Sequence, residues 1–216
     1  MGSTQPPRHA DGPAAIDCGT LTQALDQAAS GAEGIQFHTG RGQVVETLGY
    51  ARLRDEARDW AQHLLGCGLQ PGQRVCLVAE TDGDFVRAFF ACQYAGLVPV
   101  PVPLPTVLGG RKQYLEHLQR MAESVGADAV MTPASLDGWI QEAFAGRGLA
   151  FVGTAASLLE RPAAAVELPR PEPDRLAYLQ FSSGSTRFPR AIAVTHRAVM
   201  ANYPQHRPGR TARRSR

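Results

Sequence analysis

Residues 179–191 read LQFSSGSTRFPRA. Four hydroxyl side chains, Ser182, Ser183, Ser185 and Thr186, surround Gly184, and Arg187 and Arg190 follow with Pro189 between them. An apolar run (Tyr178, Leu179, Phe181) leads in and a β-branched run (Ile192, Val194, Thr195) leads out. The pattern predicts strand, hydroxyl/glycine loop, strand. Ser/Gly-rich runs by themselves are more often turns or linkers. Here strand-like segments bracket the run closely, two arginines close it, and Pro189 stiffens it. Backbone N–H groups and hydroxyls turned inward make a concave anion site. Arg187 and Arg190 would add charge-assisted bonds to phosphate oxygens. The GxxxxGK[ST] spacing is absent, so this is not a Walker loop.

The run resembles the phosphate-binding signature of the adenylate-forming superfamily (acyl- and aryl-CoA synthetases, luciferases, adenylation domains), which reads approximately [YF]-T-S-G-[ST]-T-G-x-P-K-G. Phe181–Ala191 departs from it where Arg187 replaces a glycine, Arg190 a lysine and Ala191 the last glycine. Arginine after Ser-Thr is typical of one branch, the fatty acyl-AMP ligases. The stretch from Glu80 to Pro105, ETDGDFVRAFFACQYAGLVPVPVPLP, also resembles that branch, and the resemblance runs from about Gly19 to Tyr203.

The resemblance implies an α/β fold: over residues 18–203, the N-terminal portion of the adenylate-forming domain, a mostly parallel sheet flanked by helices. It implies a ligase that joins a fatty acid to ATP, with Mg²⁺, to give acyl-AMP and pyrophosphate. The acyl group then passes to an acyl carrier protein, or to CoA in the sister branch. It assigns Ser182, Ser183, Gly184, Ser185, Thr186, Arg187 and Arg190 to the ATP phosphates. The family's adenine and ribose contacts, its magnesium-binding glutamate, its acyl pocket and its catalytic lysine match no stretch here. The single lysine, Lys112, has no motif around it. No catalytic residue and no metal ligand is therefore assigned, and the 216-residue chain alone is expected to be inactive.

An apolar fraction of 44% is enough to bury a core. Net charge is +2 but unevenly placed: residues 1–174 carry −7, and residues 175–216 carry +9. Residues 204–216, PQHRPGRTARRSR, read as a basic tail, disordered or out of frame. A basic-tailed nucleic-acid interaction protein is one alternative to the ligase. It is weakened because no aromatic is interleaved with the arginines. A non-catalytic nucleotide- or phosphate-binding module is the other. Residues 1–17, rich in Pro and Gly, read as a disordered leader without an apolar secretory core. No apolar run approaches the length of a membrane span. Cys18, Cys67, Cys76 and Cys92 lack CxxC spacing, which points to idle thiols in a reducing cytoplasm rather than zinc.

Elsewhere the periodicity predicts a helix after the capping residue Thr20 and a hairpin around residues 39–42. An amphipathic helix over 50–66 follows, its stripe made by Leu53, Ala57, Trp60, Ala61, Leu64 and Leu65. A buried strand (73–79), a capped turn and an apolar helix (85–95) suggest a parallel, doubly wound sheet. Proline at every second position of Val98–Pro105 removes N–H donors from one edge only, so the segment suits a sheet edge. Helix, strand, helix and strand follow to Val152, and 161–174 reads as a surface connection. His38 is read as a surface residue, Trp60 as core, and His196 as a helix-capping or packing residue, with ligand contact as the alternative.

Overall fold

In the computed structural model, which describes residues 18–105, 110–182 and 189–202, the predicted helix and hairpin come first. They are α1 (Leu21–Ala28), β1 (Gly34–His38) and β2 (Val44–Gly49). The Thr20 hydroxyl caps α1 by accepting from the Gln23 N–H at 3.3 Å. β1 and β2 pair antiparallel, and His38 is exposed. The leader 1–17, the tail 204–216 and loop residues 183–187 lie outside the described residues.

Then α2 (Tyr50–Gly66), β3 (Arg74–Val78), α3 (Gly83–Tyr94), β4 (Val98–Val102), α4 (Gly110–Val125), β5 (Ala127–Met131), α5 (Asp137–Phe144) and β6 (Phe151–Gly153) build the expected layer. Its strands are parallel in the order β4-β3-β5-β6. The twofold side-chain period of β3 decides which helices cover which face. Val75 and Leu77 join Leu53, Ala57, Trp60, Ala61 and Leu64 of α2 and Ala88 of α3. Cys76 and Val78 join Tyr114, Leu118 and Met121 of α4 and Ile140 of α5. Of the predicted α2 stripe only Leu65 is half-buried rather than buried.

The proline pattern places β4 at the edge of this sheet. The Val98 N–H donates to the Gln73 carbonyl at 2.8 Å, and the Val102 carbonyl accepts from the Ala79 N–H at 2.9 Å. Residues 98, 100 and 102 therefore face β3, and Pro99 and Pro101 face away with no donor to offer.

One buried charge sits in the apolar helix α3. Arg87 is 5% exposed and pairs with Glu46 of β2, with Glu56 of α2 at 2.5 Å and with Asp84 at 3.3 Å. Burial opposes the Arg87 charge, but the hydrogen bonds it donates to the Glu46 and Glu56 carboxylates outweigh that and its pKa rises. Burial also pushes the Cys76 thiol up to about 12, in keeping with an idle thiol.

A short helix, α6 (Ala155–Leu159), was not expected; Thr154 and Ser157 form its capping box, and five residues are too few for a periodic signal. The connection over 161–174 lies against α2. Gln62 donates to the Val166 carbonyl at 2.7 Å and accepts, through its own carbonyl, the Ala164 N–H at 2.9 Å. The approach is close enough that a Cβ at Gly66 would fall 1.8 Å from the Pro162 carbonyl oxygen.

Candidate phosphate-binding hairpin

The segment quoted first folds as β7 (Leu176–Phe181) and β8 (Ala191–Thr195), an antiparallel pair in which Phe181 faces Ala191. One step beyond, the Ser182 N–H donates to the Arg190 carbonyl at 3.0 Å, and the Ser182 hydroxyl reaches the same oxygen at 3.4 Å. These two candidate residues thus close the loop. The structure brings them together and leaves Arg190 exposed. Ser183, Gly184, Ser185, Thr186 and Arg187, between them in sequence, are outside the described residues.

β7 lies beside β4. The Tyr178 ring meets Phe89 of α3 at 6.0 Å on one face, while Leu179 and Phe181 pack with the α4-side cluster on the other. β7 therefore extends the layer past the proline edge of β4. Both strands begin at one groove of about 460 Å³, lined by Gly96, Leu97 and Val98 and by Arg175 and Leu176. They run the same way, so Ser182 and Arg190 sit towards the carboxyl ends of the parallel strands, the rim where open α/β sheets bind ligands.

The opposite end of the hairpin is anchored. Arg197 of α7 (His196–Ala201) grips Asp174 with two hydrogen bonds of 2.6 and 2.8 Å, which hold the Asp174 carboxyl below its usual range. The His196 N–H donates to the Arg175 carbonyl at 3.1 Å and the Arg197 N–H to the Pro173 carbonyl at 2.8 Å. His196 is 1% exposed, and its Nδ1 accepts the Leu21 N–H at 3.2 Å. Burial lowers its pKa, which suits the neutral imidazole an acceptor nitrogen requires. The histidine six residues after Arg190 thus caps α1, the packing role read from the sequence. The Asp174–Arg197 grip was not foreseen, because residues 23 positions apart on strand-end and helix carry no shared pattern.

Among the described residues no group of His, Cys, Asp and Glu side chains could hold a metal ion, and no helix is long and apolar enough to cross a membrane. Residues 26–215 match the AMP-binding enzyme family. The chain belongs to that family. Over 186 residues it is 54% identical to a protein of Caulobacter vibrioides (strain NA1000 / CB15N) provisionally named an acyl-CoA synthetase, covering 86% of this chain and 32% of that one. It is 27% identical over 175 residues to the long-chain-fatty-acid–AMP ligase FadD32 of Mycolicibacterium smegmatis (strain ATCC 700084 / mc(2)155), covering 79% of this chain and 27% of that one. A solved structure from structural and functional studies of fatty acyl-adenylate ligases from E. coli and L. pneumophila superposes with a TM-score of 0.81. That chain is 42% identical, and the match covers 86% of this chain and 34% of that one. The parallel sheet and its flanking helices are thus those of the N-terminal domain of adenylate-forming enzymes. The chain spans about a third of the length of these AMP-binding relatives.

Proposed function

We propose that this chain is the N-terminal portion of a ligase that activates a fatty acid with ATP to acyl-AMP and pyrophosphate, for transfer to an acyl carrier protein or CoA. The observation that carries it is the hairpin closed by Ser182 and Arg190, set on the carboxyl rim of a fold 42% identical to a fatty acyl-adenylate ligase structure. In the reaction a fatty carboxylate oxygen attacks the α-phosphorus of ATP and forms the acyl–phosphate bond. The bond from that phosphorus to the oxygen bridging to the β-phosphate breaks, and pyrophosphate leaves with the electron pair. Charge accumulates on the leaving oxygens. Backbone N–H groups, the hydroxyls of Ser183, Ser185 and Thr186, and the Arg187 and Arg190 guanidiniums supply donors of the right sign to stabilise it. Ser182 aligns the loop ends, its N–H and hydroxyl both directed at Arg190. The exposed Arg190 side chain is free to turn towards phosphate oxygens. Mg²⁺, which the family uses with ATP, would enter on the nucleotide phosphates and neutralise part of their charge.

The test is fatty-acid-dependent exchange of labelled pyrophosphate into ATP. Residues 19–202 would replace the matching segment of the 42% identical fatty acyl-adenylate ligase, and residues 1–216 would be assayed alone. The chimera is expected to exchange and the isolated chain is not. Arg190→Ala in the chimera should lower exchange by about 10²–10³-fold, the usual loss when one donor to a developing oxyanion is removed. A folded chimera that binds MgATP yet exchanges nothing would replace the ligase reading with a nucleotide-binding module.

A further inference from the structure

The apolar helix α3 carries one uncharged polar side chain in its buried stretch. Ala88, Ala91, Cys92 and Tyr94 are buried as the pattern requires, but Gln93 is buried with them at 1% exposure. A buried amide is costly unless it is hydrogen-bonded. Its partner lies across the seam between sheet and hairpin. Pro99 and Pro101 of β4 present no N–H to β7, and the two strands form no ladder. On β7 the register with β8 is interrupted between Leu176 and Tyr178, and Ala177 has no cross-strand partner. That bulge residue is 0% exposed, so its carbonyl is shut away from water. The Gln93 amide nitrogen donates to it at 2.5 Å.

We infer that Gln93 is a positioning residue for the phosphate hairpin: its amide supplies the donor that the proline edge of β4 lacks and fixes the bulge at Ala177. A bulge sets the local twist of a strand pair and re-aims what lies beyond it. Fixing Ala177 therefore fixes the direction in which β7 delivers Ser182, five residues on. The consequence for catalysis rests on the reading of the 182–190 loop as phosphate-binding. The structural linkage does not.

Hydrogen exchange of the full 216-residue chain tests the linkage, with variants Gln93→Leu and Gln93→Glu. Gln93→Leu is expected to speed exchange of the amides of Leu176–Phe181 and Ala191–Thr195 by about tenfold or more, while β3 and β5 keep wild-type protection. Gln93→Glu should resemble the leucine variant at pH 8, where a carboxylate cannot donate. Its hairpin should return towards wild-type protection, compared at each pH, as acid restores an O–H donor. Unchanged hairpin protection in Gln93→Leu would overturn the inference. So would an equal loss in every strand, or a Gln93→Glu hairpin indifferent to pH. In the ligase chimera, Gln93→Leu is expected to raise the KM for ATP more than it lowers kcat. A folded wild-type chimera that neither exchanges pyrophosphate nor binds MgATP would defeat the phosphate reading and leave the hydrogen-exchange result at Ala177 standing.

Discussion

The parallel sheet and the β7–β8 hairpin lie side by side and are held in place by different means. β3 is ladder-paired on both sides, and four of its five residues are buried between two apolar clusters. In β8 no residue is buried, and in β7 only Ala177 is. Tyr178, Leu179 and Phe181 of β7 are only half-buried against the helices, and the polar fastenings are few: Gln93 to Ala177 across the seam, His196 to Leu21 at the base, and Arg197 to Asp174 between the chain entering β7 and the helix leaving β8. The difference separates stability from function. The sheet supplies the rim, and the element that presents the candidate site is aimed by individual hydrogen bonds, each of which a point mutation can remove.

If the contrast is real, the largest loss should come from the sheet. Leu77, 1% exposed in β3, should cost about 3–4 kcal/mol as Leu77→Ala, read as a lower urea midpoint. Ile192→Ala in β8, at 52% exposure, should stay within about 0.5 kcal/mol. Comparable losses would break the comparison. Arg87→Met comes next. It strands Glu46, which keeps 28% exposure, while Glu56, at 30% exposure, retains Arg52 at 2.7 Å, so the loss should fall below that of a fully buried pair, at about 2–3 kcal/mol. Because Arg87 ties α3 to α2 and β2, the whole chain should lose stability together, and the hairpin should show no selective response.

The same contrast explains what could be read from the amino-acid order. The sheet was legible because its signals are extended ones: the α2 stripe and the prolines of β4 repeat at the spacing of their element, and β3 is an unbroken apolar run of strand length. The strand–turn–strand outline of the hairpin was legible from residue types, a Ser/Gly-rich run between two strand-like segments, and Ser182 and Arg190 at its ends do meet. What joins loop to sheet was not legible. Gln93 and Ala177 are 84 positions apart, and a single buried amide leaves no period. Its one local sign is a glutamine inside an apolar helix, which shows that a partner is needed but not where it lies. The α6 capping box was also missed, because a single short turn offers no repeat to detect.

A smaller effect should be confined to the hairpin base and depend on pH. His196 is folded as a neutral imidazole, its pKa lowered by burial, while the unfolded histidine titrates near 6.5. As pH falls through about 6.5 the unfolded chain takes up the proton first, so stability is full above that value and declines below it until the folded imidazole protonates too. Glu172, Asp174, Arg170 and Arg175 line the same groove, and the Arg197 guanidinium grips Asp174 beside it. Amides of α1 and of the hairpin should therefore lose protection between pH 7.5 and 5.5 relative to β3 and β5. His196→Leu should abolish that step and cost about 0.5–2 kcal/mol at pH 7.5, the loss of a cap on the Leu21 N–H. A pH step surviving in the leucine variant would place the titrating group elsewhere.

The smallest effect expected is that of Asp174→Asn. The Asp174–Arg197 pair has the best geometry among the hairpin's fastenings, two parallel bonds of 2.6 and 2.8 Å, yet its side chains are 76% and 63% exposed. Water and salt compete for both partners, and such pairs contribute little. Its pH dependence has the same sign as that of His196 but lies lower on the scale: the Asp174 pKa is lowered, so the contribution is full above the ordinary carboxylate range and is lost as pH falls through the lowered pKa. Asp174→Asn should leave the urea midpoint unchanged and slightly speed exchange near Arg175, an increment that shrinks as salt is raised, because both partners of the exposed pair are open to screening ions. Gln93→Leu, which removes a buried and uncharged contact, should give a loss that salt does not alter. Loss of the whole hairpin in Asp174→Asn would mean that the exposed ion pair rather than the buried amide fixes the hairpin. The distinction between a core-held sheet and a hairpin aimed across a proline seam would then have to be moved to its base.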